Sequence, residues 1–148
     1  MARDTTTGSA YEEIVETCLK RASKRNGFDA FPQRNVGLKP NGGSHRIDWE
    51  LVDQSDENIR GLVSCKYQGT SGTAEEKIAY EVIKLLFTMK IDPRYKHGWL
   101  VMGGDGWTNG MKVFVNSDLK LWIPEMAGKV SIFTTDQLIN AEIKLPNE

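Results

Sequence analysis

His45-Arg46-Ile47-Asp48-Trp49-Glu50-Leu51-Val52 and, six residues on, Ile59-Arg60-Gly61-Leu62-Val63-Ser64-Cys65-Lys66-Tyr67-Gln68 form the stretch that decides the fold. Strand side chains point alternately to opposite faces, so the first segment predicts a strand with Ile47, Trp49 and Leu51 on one face and Arg46, Asp48 and Glu50 on the other. Asp53 to Asn58 is a polar turn, which makes residues 59–68 the partner strand of a hairpin. Leu62, Val63 and Cys65 argue for burial of that partner, yet Ser64, Lys66 and Gln68 project together from it. A lysine in a central strand is costly unless an acidic group meets it. An edge strand with one wet face would explain the same pattern.

Upstream, Tyr11, Ile14, Val15, Cys18, Leu19 and Ala22 recur at helical spacing, and Asn26-Gly27 ends that helix. Phe28 to Leu38 reads as a short extended piece broken at Pro32, followed by a turn over residues 39–43. Downstream, Thr73 and Glu76 suit a capping box opening a helix from Ala74 to Met89. His97 to Met102 reads as a buried strand ending in the loop Gly103-Gly104-Asp105-Gly106. Thr108 to Trp122 fits no one element; Val130 to Phe133 is a strand and Thr135 to Asn140 a closing helix. This order predicts an α/β fold, a mixed central sheet with helices on both faces, in one domain spanning 1–148.

Composition agrees with a globular chain: 148 residues, 39% hydrophobic and 26% charged. Without a roughly 20-residue apolar run or an apolar signal core, a cytosolic, non-membrane protein is expected. Cys18 and Cys65 fall in helix and strand, so both are expected reduced and buried. The net charge of -1 is no nucleic-acid signature, but residues 1–46 carry eight basic against five acidic residues (+3) and the remainder eleven against fifteen (-4). Lys20, Arg21, Lys24, Arg25, Arg34, Lys39 and Arg46 are candidates for a phosphate-contacting surface. A solvated helix end accounts equally well for Lys20 to Arg25.

Hydrolysis of a phosphodiester needs charge stabilisation and an activated water, both of which a carboxylate-held divalent cation can supply. Asp48 and Lys66 suit the two protein roles, ligand and water-orienting cation. His45 and His97 have no neighbours at zinc spacing, and the glycines at 103–106 form no nucleotide fingerprint. Trp107 and Trp122 could serve core or interface.

Arg46-Ile47-Asp48 with Ser64-Cys65-Lys66-Tyr67-Gln68, together with Gly8 and Tyr11-Glu12 on the first helix, resembles the PD-(D/E)xK nuclease superfamily over residues 8 to about 102. The resemblance implies a restriction-endonuclease-like αβββαβ core, with Mg²⁺ (or Mn²⁺) held by Asp48, Glu12 and Glu81, and Lys66 positioning the attacking water. One position departs from the family pattern: Ser64 replaces the usual acid two before the lysine. Certain members recover that carboxylate from the following helix, which points to Glu81, fifteen residues after Lys66, with Glu75 as rival. A solvated Glu81 paired with Lys77 or Lys84 is the plain alternative. Ser64 is expected to contact the site through water or another ligand, and Gln68 to support it. Glu12 is carried over rather than Glu13, which points more toward solvent; an ordinary surface acid is its alternative.

The expected function is site-specific cleavage of double-stranded DNA, as in type II restriction enzymes, by a homodimer. Residues 32–45 and 103–112 are expected to act as recognition loops, with Arg25, Arg34, Lys39 and Arg46 as DNA contacts. A homing endonuclease or Holliday-junction resolvase shares this chemistry. An inactive nuclease-fold module that binds nucleic acid is the reading from another class.

Overall fold

The computed structural model describes residues 8–68, 77–104 and 106–147. Helix α1 (Gly8–Asn26) leads into β1 (Phe28–Leu38), β2 (Ser44–Asp53) and β3 (Arg60–Tyr67), then α2 (Ile78–Ile91) and β4 (Tyr95–Gly103). A helical run follows: α3 (Asn109–Val113), a π-helical stretch Phe114–Asp118 and α4 (Leu119–Trp122), then a 3-10 turn Pro124–Met126, β5 (Val130–Thr134) and α5 (Thr135–Asn140). The five strands form one sheet in the order β1-β2-β3-β4-β5, antiparallel from β1 to β3 and parallel from β3 to β5. The α/β architecture expected from the sequence is therefore present. No helix among the described residues is long and apolar enough to cross a membrane.

Each face of the sheet has its own core. Tyr11, Val15, Leu19 and Ala22, the predicted stripe of α1, pack with Leu138 of α5 against Leu51, Val63, Trp99 and Val101. Ile78, Val82 and Leu85 of α2 pack on the other face against Ile47, Leu62, Leu100 and Met102, joined by Met111, Phe114 and Leu119 of the helical run. Side chains such as Leu62, Leu85 and Leu100 are wholly buried, and each contributes about 1.5–3 kcal/mol by leaving water. Gly27, with φ 71, donates to Ser23 O at 2.9 Å and turns the chain from α1 into β1, a left-handed cap that glycine adopts without strain.

Four sequence expectations need correction. Residues 28–38 are one continuous strand: Pro32 pairs with Trp49, and as β1 is an edge strand its missing N–H removes no necessary ladder bond. Residues 32–38 are accordingly strand rather than recognition loop. The simple alternation in β2 also fails, since Ile47 joins the α2-side core while Trp49 and Leu51 join the α1 side. The cause lies in the ladder. β2 pairs with β3 only from Trp49–Val63 to Val52–Arg60, and before Trp49 it parts from β3 while staying on β1. Both cysteines are free, as expected, but half-buried. The proposed capping box at Thr73 and Glu76, and Glu75, lie outside the described residues.

Candidate active site

The parting of β2 from β3 creates the site. β3 continues in parallel register with β4 through Tyr67–Gly103, whereas its register with β2 ends at Trp49–Val63, so the Cys65 N–H does not meet a β2 backbone carbonyl. Asp48 substitutes for that partner: its Oδ2 accepts the Cys65 N–H at 2.7 Å. Its Oδ1 lies 3.5 Å from Gln33 Nε2. Burial pushes the Asp48 carboxyl above its ordinary value, opposed by the Cys65 N–H, the Lys66 charge and Gln33. Asp48 lines a cavity of about 470 Å³ together with Glu12, Gln33, Trp49, Cys65 and Tyr67.

On the other side of β3, the polar stripe meets its acid. Glu81 is only 5% exposed; its Oε2 accepts from Ser64 Oγ at 3.0 Å, and its Oε1 lies 3.1 Å from Lys66 Nζ. Lys66 is thus no edge-strand lysine, since β3 is the third of five strands. Lys84, one turn along α2, also reaches Glu81 Oε1 at 2.6 Å while its ammonium stands over the Tyr80 ring. Burial raises the Glu81 carboxyl, but the Lys84 hydrogen bond and the Lys66 charge outweigh it and hold the group below the ordinary carboxylate range. Of the plain alternative, a solvated Glu81 paired with Lys77 or Lys84, the pairing with Lys84 is present but the solvation is not.

Glu12 stands on α1 at the Asp48 cavity, and Glu13 and Glu16 line the same cavity, so the structure does not separate Glu12 from Glu13 by exposure. The preceding residue keys the helix in place. Tyr11 donates its hydroxyl to Val101 O at 2.7 Å, and its ring lies against Gly103, where a Cβ would come within 2.1 Å of it. Burial pushes the Tyr11 phenol far above its ordinary value, so it remains a donor. Gln68 is 6% exposed and fastens the end of β3: its N–H donates to Gly103 O and its Nε2 to Gly106 O at 2.8 Å. Trp107, buried, donates to Gly103 O from the same loop, whereas Trp122 is 78% exposed.

The carboxylates assigned to metal binding are not gathered into one cluster. Among the described residues no three His, Cys, Asp or Glu side chains converge closely enough to hold a metal ion. Asp48 and Glu12 share the α1-side cavity, while Glu81 comes from the α2 side with both oxygens engaged. The donor set still suits a hard cation: Asp48 and Glu12 bring two carboxylates to one cavity, and carboxylate oxygens are what Mg²⁺ prefers. Glu81 would join it only by exchanging a lysine.

The basic candidates divide into two groups. Arg46 Nε donates to Gln33 Oε1 at 3.2 Å, beside Asp48, whereas Arg34 stacks on Phe31 at 4.3 Å and reaches Glu50 at 3.7 Å. Lys39 is in the β1–β2 turn, its side chain beside Gly43. Arg25 pairs with Glu142, and Lys20 with Glu16. Arg25 is thirteen residues along α1 from Glu12, about 20 Å at the helical rise, so it lies well away from the cavity. Sequence reasoning missed Gln33; its only trace was a polar residue following Pro32. His45, buried and bonded through Nδ1 to Thr88 Oγ1 at 2.7 Å, is structural.

A family model described as a PD-(D/E)XK nuclease superfamily domain matches residues 5–142. No curated protein and no solved structure matches the chain at the level of significance required. The family model covers nearly the whole chain, and the strand pair, flanking helices and mixed sheet follow the architecture that the sequence led us to expect: the protein belongs to the PD-(D/E)XK nuclease superfamily.

Proposed function

We propose that the protein is a Mg²⁺-dependent endonuclease that cleaves double-stranded DNA at specific sites, acting as a homodimer. The observation that carries this reading is the buried carboxylate of Glu81 lying 3.0 Å from Ser64 Oγ and 3.1 Å from Lys66 Nζ. A carboxylate delivered from α2 supplies the acidic function that Ser64 lacks.

Asp48 and Glu12 would hold the cation at the cavity, with Glu81 as a further ligand; Mn²⁺ suits the same donors. The bound cation would polarise the phosphoryl oxygens and lower the pKa of a bound water. Lys66, ion-paired with Glu81, orients the attacking water and offsets negative charge developing on the phosphate. The Cys65 N–H holds the Asp48 carboxylate in a fixed plane, which limits its reorganisation during reaction. Ser64 keeps Glu81 directed at the lysine, and Gln68 holds the end of β3 to the loop after β4. Arg46, tied to the cavity through Gln33, contacts a DNA phosphate beside it, and Arg34, Lys39 and Arg25 contact further phosphates. Two such copies related by a two-fold axis would cut both strands.

The test is incubation of the purified protein with plasmid and phage DNA in Mg²⁺, alongside Asp48→Ala and Lys66→Ala. Discrete fragments lost in both variants are expected, and cleavage surviving in both overturns the site. Four-way junctions in the panel separate a resolvase from a restriction-like enzyme. The two lysines on Glu81 favour one second reading, an inactive nuclease fold that binds nucleic acid; retained DNA binding without cleavage in any divalent metal would establish it.

A further inference from the structure

Gln33 is the one non-glycine residue with a positive φ among the described residues, at 55°. L side chains rarely take that conformation, whereas glycine does so freely. The adjoining ladder does not call for a turn, since Pro32 pairs with Trp49 and Arg34 with Ile47 on either side. Backbone strain of this kind persists where surrounding contacts hold it, and it clusters at functional sites. Here the contacts are those of the site. Gln33 Oε1 accepts from Arg46 Nε at 3.2 Å, Nε2 lies 3.5 Å from Asp48 Oδ1, and the residue lines the cavity beside Asp48 and Glu12.

We propose that Gln33 is a positioning residue of the Asp48 site, setting the plane of the carboxylate through Oδ1 and tying it to the Arg46 guanidinium. The inference rests on the reading of Asp48 as the active-site carboxylate. Asp48 is then oriented at both oxygens, by the Cys65 N–H at Oδ2 and by the Gln33 amide at Oδ1. Each carboxylate oxygen has two acceptor sites, so Oδ1 can take the amide proton and still ligate a cation. The link to Arg46 fixes the separation between a phosphate on the guanidinium and a cation on Asp48. The strained backbone at residue 33 is what carries the amide to both groups.

Two measurements on the full chain test this: thermal unfolding without metal, and calorimetric titration with Mn²⁺ alone. They compare wild type with Asp48→Asn, Gln33→Gly and Gln33→Met. Glycine relieves the backbone, so Gln33→Gly is expected to melt at or up to about 4 °C above wild type. Both Gln33 variants are expected to bind Mn²⁺ roughly tenfold more weakly, the usual loss when a group orienting a ligand is removed. Asp48→Asn is expected to abolish binding. Wild-type Mn²⁺ affinity in both Gln33 variants, with binding lost in Asp48→Asn, overturns the role of Gln33 and leaves the site intact. Wild-type affinity in Asp48→Asn overturns the site itself. A fall in melting temperature for Gln33→Gly would show that the residue serves the fold, and would also overturn the proposal.

Discussion

Asp48 and Glu50 lie two residues apart on the same strand, and the halves of β2 they occupy are built differently. Around Glu50 the ladder is closed on both sides, through Phe31 of β1 and Leu62 of β3. Glu50 is 3% exposed; Oε2 accepts from the Tyr95 hydroxyl and from Arg60 Nη1 at 3.3 Å, and Oε1 faces Arg34. Around Asp48 the ladder has opened. One oxygen accepts the Cys65 N–H in place of a β2 partner, the other lies 3.5 Å from Gln33, and the residue lines a cavity. A closed ladder commits a buried carboxylate to fixed partners and hence to stability. An opened ladder leaves acceptor capacity for a ligand, while burial still costs free energy.

The sharpest test of that contrast is Asp48→Asn. Cleavage is expected to fall about 10³-fold or more, the scale of about 4 kcal/mol in transition-state stabilisation. Melting temperature should hold or rise at neutral pH: burial raises the Asp48 carboxyl above its unfolded value, so the ionised form burdens the folded state. That advantage should vanish on acidification through the folded pKa, where wild-type Asp48 is neutral as well. Lost cleavage with a large loss of stability would erase the distinction between the halves.

The reciprocal variant is Glu50→Ala, which strands Arg60 and the Tyr95 hydroxyl. We expect a loss of about 3 kcal/mol, lowering the melting temperature by roughly 6–12 °C, with cleavage retained by the folded fraction. Calorimetry and a gel assay on the same sample check it.

Glu81 shares properties of both carboxylates, being fully partnered like Glu50 yet adjacent to Lys66. Lys84→Met decides between them. We expect a stability loss of about 1–2 kcal/mol together with a fall of about fivefold in the Mg²⁺ concentration for half-maximal cleavage, since one fewer cation competes for the carboxylate. An unchanged Mg²⁺ requirement would place Glu81 with Glu50.

The smallest effect is on pH. His45 opens the parted half of β2, and burial, then the charge of Lys84, lowers its pKa against the pull of Glu81. The folded state therefore binds a proton less readily than the unfolded chain. Stability present above the unfolded value of about 6.5 should be lost as pH falls toward the folded value. His45→Gln should flatten that slope in melts from pH 7.5 to 5.5, with His97, also lowered by burial, providing what remains.

Much of this contrast was legible in residues 45–68, because a lysine in an apolar strand demands an acid, and the family resemblance pointed to Glu81 on the following helix, with Glu75 as rival. The bounds of α5 followed from Thr135 to Asn140. The parting of β2 was not legible, since alternation is local whereas the place where a strand leaves its neighbour depends on both cores. Pro32 misled for a related reason: only the sheet order shows that its strand is an edge. Gln33 was hidden because composition carries no record of a backbone angle. The run from Asn109 to Trp122 combines Gly110, Val113, Val115 and Asn116, weak helix formers, and is stabilised by Met111, Phe114 and Leu119 packing into the core on the α2 side of the sheet.

The contact between Tyr11 and Gly103 has a further consequence for anyone mapping this protein by selection. Any side chain at 103 would collide with the ring that seats the first helix beside the cavity. A saturation screen scored on nuclease survival would therefore rank Gly103 with Asp48 as intolerant. The two losses would part company only in an assay of soluble yield, where Asp48 variants persist and Gly103 variants disappear.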